Sequence, residues 1–264
     1  RVGCREGASS RMSLPTVNLL GMQLARVDED GLLDHMFGEI AARRGGWLIT
    51  ANLDFLRRYA KDPAARALYS SADLAVADGM PLVWAAGLLG DPLPERVAGS
   101  ALIYRFADRA AREGRSVYFL GGDPGAGEAA ATVLRARAPG LRVAGHSAPR
   151  FSAMPSDAEL AAAIATLREA APDLLLVGLG SPKQERLIHA LRPHFPAMWM
   201  VGVGISFSFV AGHVQRAPSW MRQSGLEWIH RFLQEPRRLG RRYLLEDLPF
   251  AAELFARVLW ERWQ

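Results

Sequence analysis

The chain has 264 residues, half of them hydrophobic and 22% charged, which is enough apolar material for a sizeable core and excludes a disordered polymer. Its single cysteine, Cys4, excludes an internal disulfide framework, and its six histidines never adopt zinc-ligand spacing. The net charge of +5 is local: residues 211–242 carry seven arginines against Glu227 and Glu235, so the remainder of the chain sums to zero.

Residues 1–13 open with "RVGCREGASSR", which has no apolar stretch behind its charges. We read them as a tail outside the fold, with no secretory signal and with Met12 as the natural first residue. Seven short apolar runs then read as strands: "VNLLGMQL", "GGWLITAN", "DLAVADG", "SVYFLGG", "LRVAGHS", "DLLLVGLG" and "MWMVGVG". Helical periodicity fills the gaps. "DEDGLLDHMFGEIAARR" places Leu32, Leu33, Met36, Phe37 and Ile40 on one face behind a capping aspartate. Asp28 and Asp30 in that stretch have the spacing of a metal-binding carboxylate pair, but capping is the stronger reading. Ser156 with Glu159 three residues later is a capping box. The longest uncharged run, "AMWMVGVGISFSFVAG", has 16 residues, short of the roughly 20 apolar residues of a membrane span, and reads as a buried strand with its following loop. This alternation predicts an α/β fold, a Rossmann-like and mostly parallel sheet with helices on both faces. Near residue 211 the strands stop and a basic, tryptophan-bearing helical stretch begins.

Ligands of such sheets sit outside the carboxyl ends of the strands, where four corners are polar or glycine-rich. In "ITANLDF", Thr50 and Asn52 either cap a helix or face a ligand. In "AVADGMP", Asp78 is either a turn residue or a carboxylate placed for general-base work. "FLGGDPGAGEAA" brings Gly121 and Gly122 to a helix N-terminus suited to a phosphate. No acid follows the next strand to hold a ribose, which speaks against a nicotinamide or flavin site. In "VGLGSPKQER", Gly180 precedes Lys183, Gln184, Glu185 and Arg186. Lysine suits a phosphate and glutamine a sugar or base, while the alternative is a solvated helix face. No G-x-S-x-G elbow or Walker loop is present.

Together, "TAN" (50–52), "ADGMP" (77–81), "PERVAGS" (94–100), "FLGGDPG" (119–125), "VGLGSPKQE" (177–185), "GVGISFSFVAG" (202–212), "RAPSWM" (216–221) and "GLEWIHRFLQEPRRLGRR" (225–242) resemble the motif series of the WecG/TagA/CpsF glycosyltransferases. They occur in order over roughly residues 15–245. The resemblance implies the GT-E fold and an inverting transfer that needs neither metal nor cofactor. A sugar would move from a UDP donor to a prenyl-diphosphate-linked saccharide at the cytoplasmic membrane face, in bacterial surface or exopolysaccharide synthesis. Carried over by motif, Asp78 is the catalytic base, and Thr50 and Gln184 position substrate. Arg231, Arg238 and Arg241 neutralise a diphosphate. Asn52, Arg96, Gly99, Ser100, Gly121, Gly122, Gly180, Lys183 and Glu185 complete the expected substrate-binding set. The implied organisation is an α/β catalytic core over 14–210 and a C-terminal helical, membrane-associating appendage over 211–264. The appendage would meet an anionic membrane surface; no nucleic-acid partner is expected, since no recognition module accompanies the arginines. A homo-oligomer is left open. Two departures leave the donor open among N-acetylmannosamine, glucose and an acidic sugar: Ala101 stands where many relatives carry an acid, and "GHSAPRF" (145–151) replaces a glycine–aromatic stretch. The competing reading is a non-catalytic nucleotide or glycan-lipid binding module.

Overall fold

The computed structural model describes residues 14–218, 220–221, 227–234 and 236–263, with residues 231, 237 and 238 described in their backbone alone. Six parallel strands form the central sheet: β3 (Gly46–Ala51), β4 (Leu74–Ala77), β5 (Ser116–Gly121), β6 (Arg142–Ser147), β7 (Leu174–Gly178) and β8 (Trp199–Gly202), in the order β4-β3-β8-β7-β5-β6. Strands buried on both faces read as unbroken apolar runs because alternate side chains feed opposite cores. In β7, Leu175 and Val177 join one core, while Leu174 and Leu176 join the other.

The first apolar run departs from expectation. "VNLLGMQL" is two strands, β1 (Thr16–Leu19) and β2 (Met22–Ala25), paired antiparallel outside the main sheet. Leu20 and Gly21, both at positive φ, make the two-residue turn between them, and Asn18 Oδ1 accepts from the Gly21 N–H at 2.8 Å. Asp28 caps α1 (Glu29–Ala41) by accepting from the Gly31 N–H, and Asp30 pairs with Arg105, so capping accounts for the first acid and an ion pair for the second. The Ser156–Glu159 capping box opens α7 (Asp157–Ala170) as expected.

The helices following the strands are α2 (Leu53–Lys61), α3 (Pro63–Ser70), α4 (Met80–Leu88), α5 (Gly99–Glu113), α6 (Ala126–Arg137), α7, α8 (Lys183–Leu191) and α9 (Ser206–Val210). Beyond 211 come α10 (Glu227–Gln234), α11 (Pro236–Gly240), a π-helical turn (Arg241–Asp247) and α12 (Leu248–Arg262). The end of the chain is part of the main packing. Phe250, Leu254 and Val258 of α12 are at most 1% exposed, lie in the same core as Ile49 and Val177, and pack against α4. The last strand ends at Gly202, and the core continues past residue 211 into α12.

Candidate active site

The carboxyl ends of β4 and β3 bring Asp78, Thr50 and Asn52 to one corner. Asp78 is half-buried; its backbone N–H is tied to the Ala51 carbonyl at 2.7 Å, and its Oδ2 accepts from the Gly99 N–H at 3.0 Å. That amide belongs to the first turn of α5, so the helix end and one donor fix the carboxylate's orientation. Gly99 has to be glycine for a steric reason: a Cβ there would lie 2.8 Å from Thr50 Oγ1 and 3.3 Å from Asp78 Oδ2. Thr50, Asp78 and Gly99 thus form one contact group. Asn52 caps α2, its Oδ1 accepting from the Phe55 N–H at 3.2 Å, so the capping role is filled at the mouth of the same corner.

The C-terminal segment reaches across to this corner. Arg216 donates to Ser100 Oγ at 2.6 Å, and Glu227 of α10 lies between Arg96, at 3.4 Å, and Arg216, at 3.8 Å. Arg96 and Ser100, expected to meet substrate, are here joined to the segment that covers them. Arg216 and Glu227 were not among the expected site residues, although both lie in motifs of the series.

The corners of β5, β7 and β8 lie further along the sheet edge. Gly121 and Gly122 both adopt positive φ; the first lies against Leu179 and the second against Phe207, and the Gly122 N–H bonds to the Gly178 carbonyl at 2.6 Å. Their need for glycine is met by packing between loops. Gly180, at φ +73°, borders open space. Lys183 is half-buried at the start of α8.

Gln184 and Glu185 are not the solvated helix face that the sequence left open. They are 5% and 2% exposed. Gln184 lies directly over Gly202, where any Cβ would approach its side chain to 2.5 Å. Its Oε1 accepts from the Gly204 N–H at 3.0 Å and its Nε2 donates to Glu185 Oε1 at 2.8 Å, so the amide braces the β8 corner from beneath. Burial pushes the Glu185 carboxyl above its usual range, against the opposing pull of Gln184, Ser181 and Arg58. Arg186 donates to the Ala153 carbonyl at 3.1 Å, which ties α8 to the loop before α7. The polar cluster opening α8 therefore holds mainly the protein's own loops.

Of the three arginines expected at a diphosphate, Arg241 is 83% exposed in its side chain, with Glu246 at 3.8 Å. The side chains of Arg231 and Arg238 lie outside the described residues. A cavity of about 320 Å³ opens between Tyr118, Ser147, Phe151 and α7, beneath the divergent 145–151 stretch and apart from the Asp78 corner. Among the described residues, no group of three or more His, Cys, Asp or Glu side chains is placed to hold a metal ion, and no helix is long and apolar enough to cross a membrane.

Comparison with known proteins agrees with the motif series. Residues 17–264 match the model of the Glycosyl transferase WecG/TagA/CpsF family. A relative from Bacillus spizizenii, described as N-acetylglucosaminyldiphosphoundecaprenol N-acetyl-beta-D-mannosaminyltransferase, is 35% identical over 200 residues, which span 75% of each chain. The parallel sheet, the Asp78 corner and the match over nearly the whole chain lead to one assignment: this chain belongs to the WecG/TagA/CpsF family of glycosyltransferases.

Proposed function

We propose that the chain transfers a sugar from a UDP donor to a prenyl-diphosphate-linked saccharide, with inversion at the anomeric carbon and with Asp78 as general base. The observation that carries this reading is the Asp78 carboxylate at a strand end, oriented by the Gly99 N–H beside Thr50. In the transfer, the acceptor hydroxyl oxygen bonds to the anomeric carbon while the bond from that carbon to the diphosphate oxygen breaks. The hydroxyl proton passes to Asp78, and UDP leaves with the bonding pair. Positioned proton acceptance of this kind contributes about 10²–10⁴-fold to rate. Negative charge on the departing diphosphate calls for cations; in the arginine-rich segment 211–242, Arg231, Arg238 and Arg241 are the ones that the motif match assigns to it.

The Bacillus relative makes N-acetylmannosamine the first donor to try, with an N-acetylglucosaminyl diphosphoprenol as acceptor. The altered 145–151 stretch is the reason to try others. The deciding experiment offers a panel of UDP-sugars, in chelator, with a short-chain prenyl-diphosphate disaccharide precursor and follows UDP release. Acceptor-dependent release from one donor is the expected result. UDP binding without release on any acceptor would favour the non-catalytic module, and strict dependence on added divalent metal would remove the metal-free mechanism. Membrane contact belongs to the same proposal: Leu245, Leu248, Trp260 and Trp263 are 59–87% exposed in the stretch that follows the arginine-rich residues 211–242, which suits an enzyme working at an anionic bilayer from its cytoplasmic side.

A further inference from the structure

Away from the Asp78 corner, buried charge is concentrated where α2 meets the C-terminal helices. Asp54 is 1% exposed and faces three guanidiniums: Arg57 at 2.6 Å, Arg58 at 2.7 Å and Arg242 at 3.6 Å. Arg57 also reaches Glu246 at 2.8 Å and Asp247 at 3.3 Å, and Arg242 meets Asp247 at 3.3 Å. Three guanidiniums thus balance three carboxylates. Arg58 turns its other end toward the β7 corner, donating to Ser181 Oγ at 3.3 Å, with Glu185 and Tyr69 close by. Glu185 in turn holds Gln184, and Gln184 holds the Gly204 N–H. A continuous polar path therefore joins the C-terminal helices to the loops that end β7 and β8.

Desolvated charges are tolerated only when each keeps its partners, and removing one member strands the others. Taking away the Arg242 guanidinium leaves Asp54 and Asp247 short of positive charge. Arg57 already bridges Asp54 and Asp247, so the added demand falls on Arg58, which is on Asp54 at 2.7 Å and can turn its remaining amino group that way only by leaving Ser181. We propose that Arg242 and Asp247 are positioning residues for the transfer reaction: the docked C-terminal helices hold Arg58 on Ser181, and Arg58 keeps the β7–α8 loop in its ligand-binding shape. The substrate part of this proposal rests on the UDP-sugar reading above; the coupling between helix and loop does not.

The test compares Arg242→Met, Asp247→Asn and Arg58→Met with Leu254→Ala in the full-length chain. The last removes apolar packing of α12 without touching the charge cluster. Hydrogen exchange of the ligand-free protein reports residues 179–186, calorimetry reports UDP affinity, and kinetics separate donor KM from kcat. Arg242→Met is expected to speed exchange at 179–186 by about tenfold and to raise the UDP Kd and donor KM by about 3- to 30-fold, with a smaller change in kcat. Arg58→Met should do the same, and the double variant should be no worse than the poorer single one. Arg242→Lys should restore part of the loss. Leu254→Ala should lower Tm and leave loop exchange and donor KM unchanged. Unaltered loop exchange in Arg242→Met overturns the proposal, and so does equal loosening in Leu254→Ala. If Arg242→Met fails to fold, the milder Asp247→Asn decides by the same readouts. Absence of UDP binding by the wild-type protein would count against the donor reading, while the exchange measurements would still decide the coupling.

Discussion

At the scale of single residues, two carboxyl groups of this chain are held in opposite ways. Asp78 is half-buried, and the Gly99 N–H aimed at its Oδ2 holds the carboxylate in place. Asp78→Asn keeps the acceptor oxygen for the Gly99 N–H but cannot take up a proton. Turnover should fall by about 10²–10⁴-fold with Tm nearly unchanged; near-wild-type turnover in a folded variant would remove Asp78 as the base. Glu185 is buried against a network whose hydrogen bonds only partly offset its loss of water, and its carboxyl is pushed upward. The sign for stability follows from proton counts. A carboxyl whose pKa is raised on folding binds more protons in the native state, so its contribution is fully present below the ordinary carboxylate range and is lost as pH rises through the raised value. Glu185→Gln preserves an oxygen for the Gln184 Nε2 donor and removes the titration. As pH rises from the ordinary carboxylate range through the raised value, the variant should lose less stability than wild type. Parallel denaturation curves for the two proteins across that window would show that Glu185 does not titrate as its burial requires.

Among the elements, the parts legible in sequence are those set by local periodicity and capping. Six apolar runs became the six parallel strands, because a strand buried on both faces has no polar positions to interrupt it. The capping roles of Asp28, Asn52 and Ser156 were also readable, since an N-cap depends on residues only three positions away. The β1–β2 hairpin was not, because its turn puts Leu20 at φ +52°, a conformation leucine does not advertise. Around the candidate site, strand ends pointed to Thr50 and Asp78 as two separate corners and the motif series added Gly99; the structure brings the three into one contact group. What such corners do not show is the packing of Gln184 and of Asp54, Arg57 and Arg58, because a charged helix start looks solvated in sequence whether it faces water or a neighbouring element. Burial there is decided by Gly202, eighteen positions further along, and by Arg242 and Asp247 near the chain's end. Gln184→Ala accordingly has a structural cost. It removes the acceptor of the half-buried Gly204 N–H and a donor to the buried Glu185, and should lower unfolding free energy by about 1–3 kcal/mol in a denaturant titration. Wild-type stability combined with a raised donor KM would return Gln184 to direct contact with ligand.

The whole molecule is shaped by its last helix, which has two faces with different work to do. Phe250, Leu254 and Val258 point into the core, and full burial of each large apolar side chain stabilises by about 1.5–3 kcal/mol. Their joint contribution is comparable with the roughly 5–15 kcal/mol that holds a domain folded. Deleting them together with Arg242 would also leave Asp54 buried beside fewer cations. A chain cut after Ala211 should therefore not survive as a stable α/β core, and loss of activity on truncation says nothing about membrane contact. The outward face allows a cleaner separation. Leu245, Leu248, Trp260 and Trp263 are exposed, so replacing them should change stability by no more than about 0.5 kcal/mol each. At a bilayer the same side chains would be withdrawn from water, with Arg241, 83% exposed, in reach of anionic headgroups. The combined change Leu245→Ser, Leu248→Ser, Trp260→Ser and Trp263→Ser should leave Tm and turnover on a water-soluble acceptor close to wild type. It should abolish sedimentation with vesicles containing phosphatidylglycerol and sharply reduce transfer to a long-chain acceptor embedded in them. Retained sedimentation would place membrane contact on another surface. Lost turnover on the soluble acceptor would mean that this face serves the active site directly, and that the bilayer is not its partner.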